Sequence, residues 1–156
     1  KILVVVALVL VLLGQVECVP SNYTDIEAQR IVGVRFFSTL NAFLCDNFSD
    51  LFEPGAEISL PLNLTFSPSE FCATLFLSYS SFFIQTKETD IIVDGNNNVV
   101  FNTPFRGTYR LSEGSPCIVE FNGFTVLRIT GEFPQYKISS TEMFYSGNIV
   151  DAEVNC

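Results

Sequence analysis

The sequence predicts an α+β domain in which helices pack on one face of a curved, mainly antiparallel sheet. Three observations carry that expectation. From Thr24 to about Cys45, apolar residues recur every three or four positions, as on one face of a helix. Across Val99–Ile129, apolar and polar residues alternate along two long runs, as on half-buried strands. The order of segments is helices, a strand, a helix, and then strands alone, which segregates helix from sheet.

At the start of the chain, Ile2–Leu13 is an unbroken apolar run behind Lys1, followed by Gln15 and Glu17. The run is shorter than the about 20 residues a bilayer-spanning helix needs. It has the n-region and h-region of a secretory signal peptide. A cut after Cys18 is expected, with one after Gly14 as the alternative. Residues 1–18 then form the signal and 19–156 a single domain, long enough for a proper core.

Two further features agree with export. After removal of Cys18, the cysteines Cys45, Cys72, Cys117 and Cys156 form an even set. In an oxidising compartment they read as two disulfides with three possible connectivities, of which Cys45–Cys72 with Cys117–Cys156 is favoured. Glycosylation sequons stand at Asn22-Tyr-Thr24, Asn47-Phe-Ser49 and Asn63-Leu-Thr65. The expectation is a secreted, extracellular glycoprotein with no membrane association after signal cleavage. The formal net charge of −9 argues against nucleic acid and anionic membrane surfaces, which call for basic patches.

Thr24-Asp25-Ile26-Glu27 reads as a capping box opening the first helix, with Gly33, Phe36, Phe37, Leu40, Phe43 and Leu44 on its apolar face. Asp46–Phe52 predicts a short second helix ended by Glu53-Pro54-Gly55. Ala56–Leu60 reads as a strand closed by Pro61. Ser67-Pro68-Ser69-Glu70 is a stronger helix start, with Ser as N-cap, Pro at N1 and Glu at N3. Phe71, Cys72, Leu75, Phe76, Tyr79, Phe82 and Phe83 then make one apolar stripe, extending this third helix to about Ser81–Ile84. Thr89–Asp94 reads as a strand and Asp94–Asn98 as an Asx-rich turn.

In the long hairpin, Phe101, Thr103, Phe105, Gly107 and Tyr109 share one face, as do Val119, Phe121, Gly123, Thr125, Leu127 and Ile129. Arg106 and Arg110 fall opposite, within reach of Glu120 across the strands. A last strand is expected at Gln135–Phe144, with Asn148–Val154 as its extension or partner.

This layout resembles the NTF2-like superfamily, with its SnoaL-like and ketosteroid-isomerase-like members. The resemblance rests on Leu51-Phe52-Glu53-Pro54-Gly55-Ala56-Glu57-Ile58 at the entry to the first strand. It rests also on Val119–Ile129 (VEFNGFTVLRI) and on Tyr136-Lys137-Ile138. It implies a cone of three N-terminal helices and a strongly bent sheet, with a pocket at the open end and a homodimer through the sheet's outer face. Phe124 and Val126 fall on that outer face. In the isomerase branch an Asp precedes Pro at the end of the first strand and acts as base; here Leu60 stands before Pro61, and a hydrocarbon cannot take a proton. The chain has no His, the commonest general base and metal ligand, and its cysteine spacing fits no zinc site. No catalytic residue, metal or cofactor is therefore expected.

Two readings follow. One is a non-catalytic binding or interaction module with an apolar pocket lined by Phe36, Leu40, Phe76, Phe101, Phe105, Tyr109 and Phe121, open to a small apolar ligand. The other is a SnoaL-like isomerase, cyclase or hydrolase with an unusual carboxylate base. Of Glu120, Glu142, Asp151 and Glu153, the candidate is Glu142, which shares strand parity with Ile138 and Ser140. The enzyme reading requires that carboxylate inside the cone.

Overall fold

The computed structural model describes residues 21–110 and 117–146. The leader at 1–18, the Ser112–Pro116 turn, Cys156 and the expected strand at Asn148–Val154 lie outside the described residues. Three helices occur among the described residues: α1 (Ser21–Asn41), α2 (Cys45–Ser49) and α3 (Pro68–Ser78). The strands are β1 (Phe52–Leu60), β2 (Leu64–Phe66), β3 (Tyr79–Ile84), β4 (Ile92–Val93), β5 (Asn98–Asn102), β6 (Phe105–Tyr109), β7 (Cys117–Phe121), β8 (Gly123–Glu132) and β9 (Gln135–Tyr145). They form a larger sheet in the order β2-β1-β9-β8-β5-β4 and a smaller one in the order β3-β6-β7. Pairing is antiparallel except between β1 and β9.

Helix α1 buries Gln29, Val32, Phe36 and Leu40 against the larger sheet, the three- and four-residue spacing of one helical face. It begins at Ser21, so Thr24 lies inside the helix and cannot be its N-cap. It also ends before Cys45. The Leu44 amide donates to the Thr39 carbonyl (3.0 Å) and the Phe43 amide to Leu40 (2.9 Å), while Phe43 takes a φ of 56°. That is a Schellman end with phenylalanine where glycine is usual. The Phe43 ring offsets the backbone cost by packing on Phe82 (4.5 Å) and Phe76 (5.1 Å).

Helix α3 starts as expected. The Ser67 amide donates to Glu70 Oε2 (2.9 Å), and the Glu70 amide donates to Ser67 Oγ. The Ser67 hydroxyl holds the Glu70 carboxyl below its usual range. The helix stops at Ser78, and Tyr79–Ile84 is strand rather than a continuation. Its buried residues are Tyr79, Phe82 and Ile84, because a bulge between Tyr79 and Ser81 inserts one residue into the alternation. The resulting spacing of three imitates a helix.

Two other segments depart from expectation. Glu53-Pro54-Gly55 lies within β1 instead of ending a helix, accommodated by an irregular stretch between Phe52 and Glu57 with Gly55 at φ 81°. Of Thr89–Asp94, Ile92–Val93 is strand and Glu88–Asp90 a 3-10 turn. The Asx turn forms: Asp94 accepts the Asn96 and Asn98 amides (2.8 and 2.9 Å) and the Asn98 side chain (2.8 Å).

The long hairpin crosses from one sheet to the other. Phe101 pairs with Thr125 in the larger sheet and Phe105 with Phe121 in the smaller. Between them, Pro104 offers no amide to a ladder, while the Thr103 amide still reaches the Gly123 carbonyl (2.8 Å). Gly123 permits the bend: a Cβ there would lie 2.4 Å from both the Phe144 carbonyl and the Tyr145 ring. The end of α1 is tied to the smaller sheet by Asn41, whose side chain donates to the Ile84 carbonyl (3.0 Å) and accepts the Ile84 amide (2.7 Å).

Cys45 and Cys72 form a disulfide joining α2 to α3. Cys117 is also disulfide-bonded; its expected partner Cys156 lies outside the described residues. None of the helices among the described residues is long and apolar enough to cross a membrane.

Candidate functional site

Most of the phenylalanines proposed as pocket wall are core. Phe36, Leu40, Phe101, Phe105 and Phe121 are buried. Phe36 packs on Phe48 (5.1 Å), Phe101 (6.0 Å) and Phe52 (6.2 Å), so rings meet rings where helix and sheet face each other. Tyr109 is half-buried with its ring 5.5 Å from Tyr79. Phe76 belongs elsewhere: it is 47% exposed on the outside of α3.

Glu142 points out of the cone. Strand β9 pairs with β8 in a register that slips at Ser139, so that Ile129 faces Ile138 but Arg128 faces Ser140. The slip reverses the parity beyond it. Ile138, Thr141, Met143 and Tyr145 are the buried residues, and Glu142 sits on the outer face, its side chain 42% exposed and 3.2 Å from Arg128. Glu120 is likewise outward, 3.2 Å from Arg106, the cross-strand pair the sequence suggested. Arg110 instead donates to the Tyr79 carbonyl (2.9 Å).

The inner face of the larger sheet carries hydroxyls. Thr103 and Thr125 share a hydrogen bond of 3.1 Å, while the buried Thr141 and Tyr145 hydroxyls have no partner among the described residues. Burial pushes the Tyr145 phenol well above its ordinary value, with the nearby Thr103 opposing weakly. Among the described residues the buried polar side chains are Gln29, Thr103, Thr125 and Thr141, none of them a carboxylate. Neutral hydroxyls can orient a polar group, but at neutral pH they do not abstract a proton.

A recess of mixed polar and apolar lining lies at the crease between the sheets. Phe83, Gln85, Pro104, Phe105, Arg106, Glu120, Phe121 and Asn122 enclose about 470 Å³, within the range of small-molecule sites. The floor is Phe105, Phe121 and Pro104, Phe83 stands 57% exposed at its side, and the Arg106–Glu120 pair sits at the rim. Phe105 and Phe121 stood among the expected pocket residues. Phe83 and Pro104 did not, because Phe83 had been read onto a helix and no sequence signal marks the break between sheets. A larger hollow of about 870 Å³ lies beside Asp50, Glu53, Pro68 and Lys137. Phe52, Pro54 and Pro68 give it a largely apolar open surface with Asp50, Glu53 and Lys137 among its walls, and Lys137 already donates to the Asp50 carbonyl.

This arrangement of helices on a bent sheet is shared with several solved structures. SalBIII, an epoxide hydrolase/cyclase-like enzyme with a role in pyran ring formation in the polyether salinomycin, superposes with a TM-score of 0.67 at 16% identity, covering 79% of this chain and 94% of that one. A protein of ketosteroid isomerase-like fold from Catenulispora acidiphila, solved in complex with trimethylamine, gives 0.64 at 17% identity, covering 80% and 92%. A SnoaL-like protein from Shewanella denitrificans gives 0.64 at 9% identity, covering 76% and 90%. No family model matches the sequence, and no curated protein matches it either. The chain is thus an α+β cone, and that cone is the NTF2-like fold of the SnoaL-like and ketosteroid isomerase-like proteins. At these identities the likeness is one of fold, which hosts many unrelated functions.

Proposed function

We propose that this protein is a secreted glycoprotein acting as a non-catalytic binding module, which takes a small apolar molecule in the recess of Phe83, Pro104, Phe105 and Phe121. The half-exposed Phe83 beside Pro104 on one open volume, with the buried Phe105 and Phe121 packed behind them, carries the reading. Burying apolar ligand area there is worth about 25 cal/mol per Å². The Arg106–Glu120 pair neutralises itself, which favours an uncharged ligand. The alternative, an isomerase, cyclase or hydrolase using Glu142, loses its support because that carboxylate faces outward and is engaged by Arg128. Export is supported by the apolar leader, the Cys45–Cys72 disulfide and the three sequons.

The test is titration of the secreted protein with an environment-sensitive aromatic dye, alongside native mass spectrometry for co-purified ligand. Phe83→Asp should weaken dye binding by about tenfold or more, about 1.4 kcal/mol, with the thermal transition unchanged. Equal affinity in both proteins would refute the assignment.

A further inference from the structure

The outer face of the larger sheet carries an exposed pair of aromatic rings. Phe124 and Phe144, 43% and 42% exposed, stack at 4.6 Å. Val126 pairs with Glu142 beside them. Such a patch on a sheet normally meets a partner. A short groove of about 340 Å³ borders it, lined by Ser59, Leu60, Pro61, Leu62 and Asn63 on one side and by Glu142, Met143 and Phe144 on the other. Asn63 is the acceptor of the Asn63-Leu-Thr65 sequon.

The local backbone presents that asparagine outward. Leu62 and Asn63 both adopt left-handed φ, 69° and 59°, which asparagine tolerates and leucine does not favour. The turn projects both residues, with Leu62 79% exposed. Thr65, the hydroxyl residue of the sequon, is exposed on the edge strand β2. Asn47, by contrast, lies within α2, near the Cys45–Cys72 disulfide and away from the outer sheet face.

We propose that an N-linked glycan on Asn63 lies across this groove and over the Phe124–Phe144 stack, keeping the outer face from pairing with a second copy of the chain. The C–H faces of pyranose rings pack on aromatic rings, so Phe144 and Leu62 supply an apolar seat. Glu142 offers a carboxylate to the sugar hydroxyls, a charge-assisted hydrogen bond. A glycan at this position also occupies the space a second sheet needs, since sheets stack about 10 Å apart. The inference rests on the secretory reading, so the test separates the two.

The chain is expressed through a eukaryotic secretory pathway, and site occupancy is read by glycopeptide mass spectrometry. Asn63 should be occupied and the protein monomeric by light scattering. Thr65→Ala, which removes the acceptor signal without touching the left-handed asparagine, should raise self-association by about tenfold or more. Phe144→Ser in that background should restore the monomer. Enzymatic trimming of the folded wild-type glycan should reproduce the Thr65→Ala result without any substitution. An occupied Asn47 with a bare Asn63 would overturn the glycan proposal while leaving secretion intact. Sugar on none of the sequons would overturn both. A glycosylated wild type that dimerises, or a Thr65→Ala protein that stays monomeric, would show that the sugar does not govern this face.

Discussion

On strands β8 and β9 the same ten-odd residues build two unlike surfaces. The inward set, Thr125, Leu127, Ile129, Ile138, Thr141 and Met143, is buried and uncharged, and rings from α1 and β5 close over it. The outward set holds the Phe124–Phe144 stack and the Arg128–Glu142 pair, all partly open to water. Among the described residues the inward set is packed, while exposed apolar and charged side chains lie on the outer face and in the crease between the sheets.

The sharpest way to break that contrast is to open the interior. Phe36→Ala removes a ring in contact with three others and should cost about 3–5 kcal/mol, read from urea unfolding. A cost below about 1 kcal/mol would mean the interior already has room for a guest. Replacing both Cys45 and Cys72 with Ala frees a 27-residue separation and should cost about 3.5 kcal/mol by loop entropy, seen as a lower denaturation midpoint.

Tyr145→Phe probes the same interior with the opposite sign. Its hydroxyl is buried with Thr103 nearby and no hydrogen-bond partner among the described residues, so removal should stabilise by about 1 kcal/mol. The phenol's value is raised in the folded state. The unfolded chain therefore ionises first, and wild-type stability should fall as pH rises above about 10. The Phe variant should show a flatter alkaline limb in pH-dependent melts. On the outer face the effects should be smallest: Arg128→Ala should change stability by less than about 0.5 kcal/mol, because an exposed ion pair is screened by water. A larger loss there would show that the outer face also supports the fold.

Much of this architecture was legible in the sequence. The hairpin's inner face, the Ser67 capping box and the Asp94 turn follow local rules the residues obey, the Cys45–Cys72 pair was the favoured one of three connectivities, and the cone came from the resemblance. Two of the misreadings share one physical cause. A bulge adds a residue to a strand, and its trace in sequence is a shift of parity that alternation alone cannot locate. In β3 the bulge after Tyr79 made a strand look helical and hid Phe83 from the recess. In β9 the slip at Ser139 turned Glu142 from a candidate base into a surface carboxylate. The end of α1 was missed for a different reason: the left-handed terminator is Phe43, held there by tertiary ring contacts rather than by its own preference.

Asn41 has a consequence for how copies of the chain meet. Its amide bonds both polar groups of Ile84 on the open side of β3, so it acts there as a one-residue neighbouring strand. An uncovered strand edge is a template on which another chain can add. Because Asn41 is also the last residue of α1, unwinding of that helix end would expose the template. The residue that closes the helix thereby occupies the edge groups of Ile84 that an added strand would use.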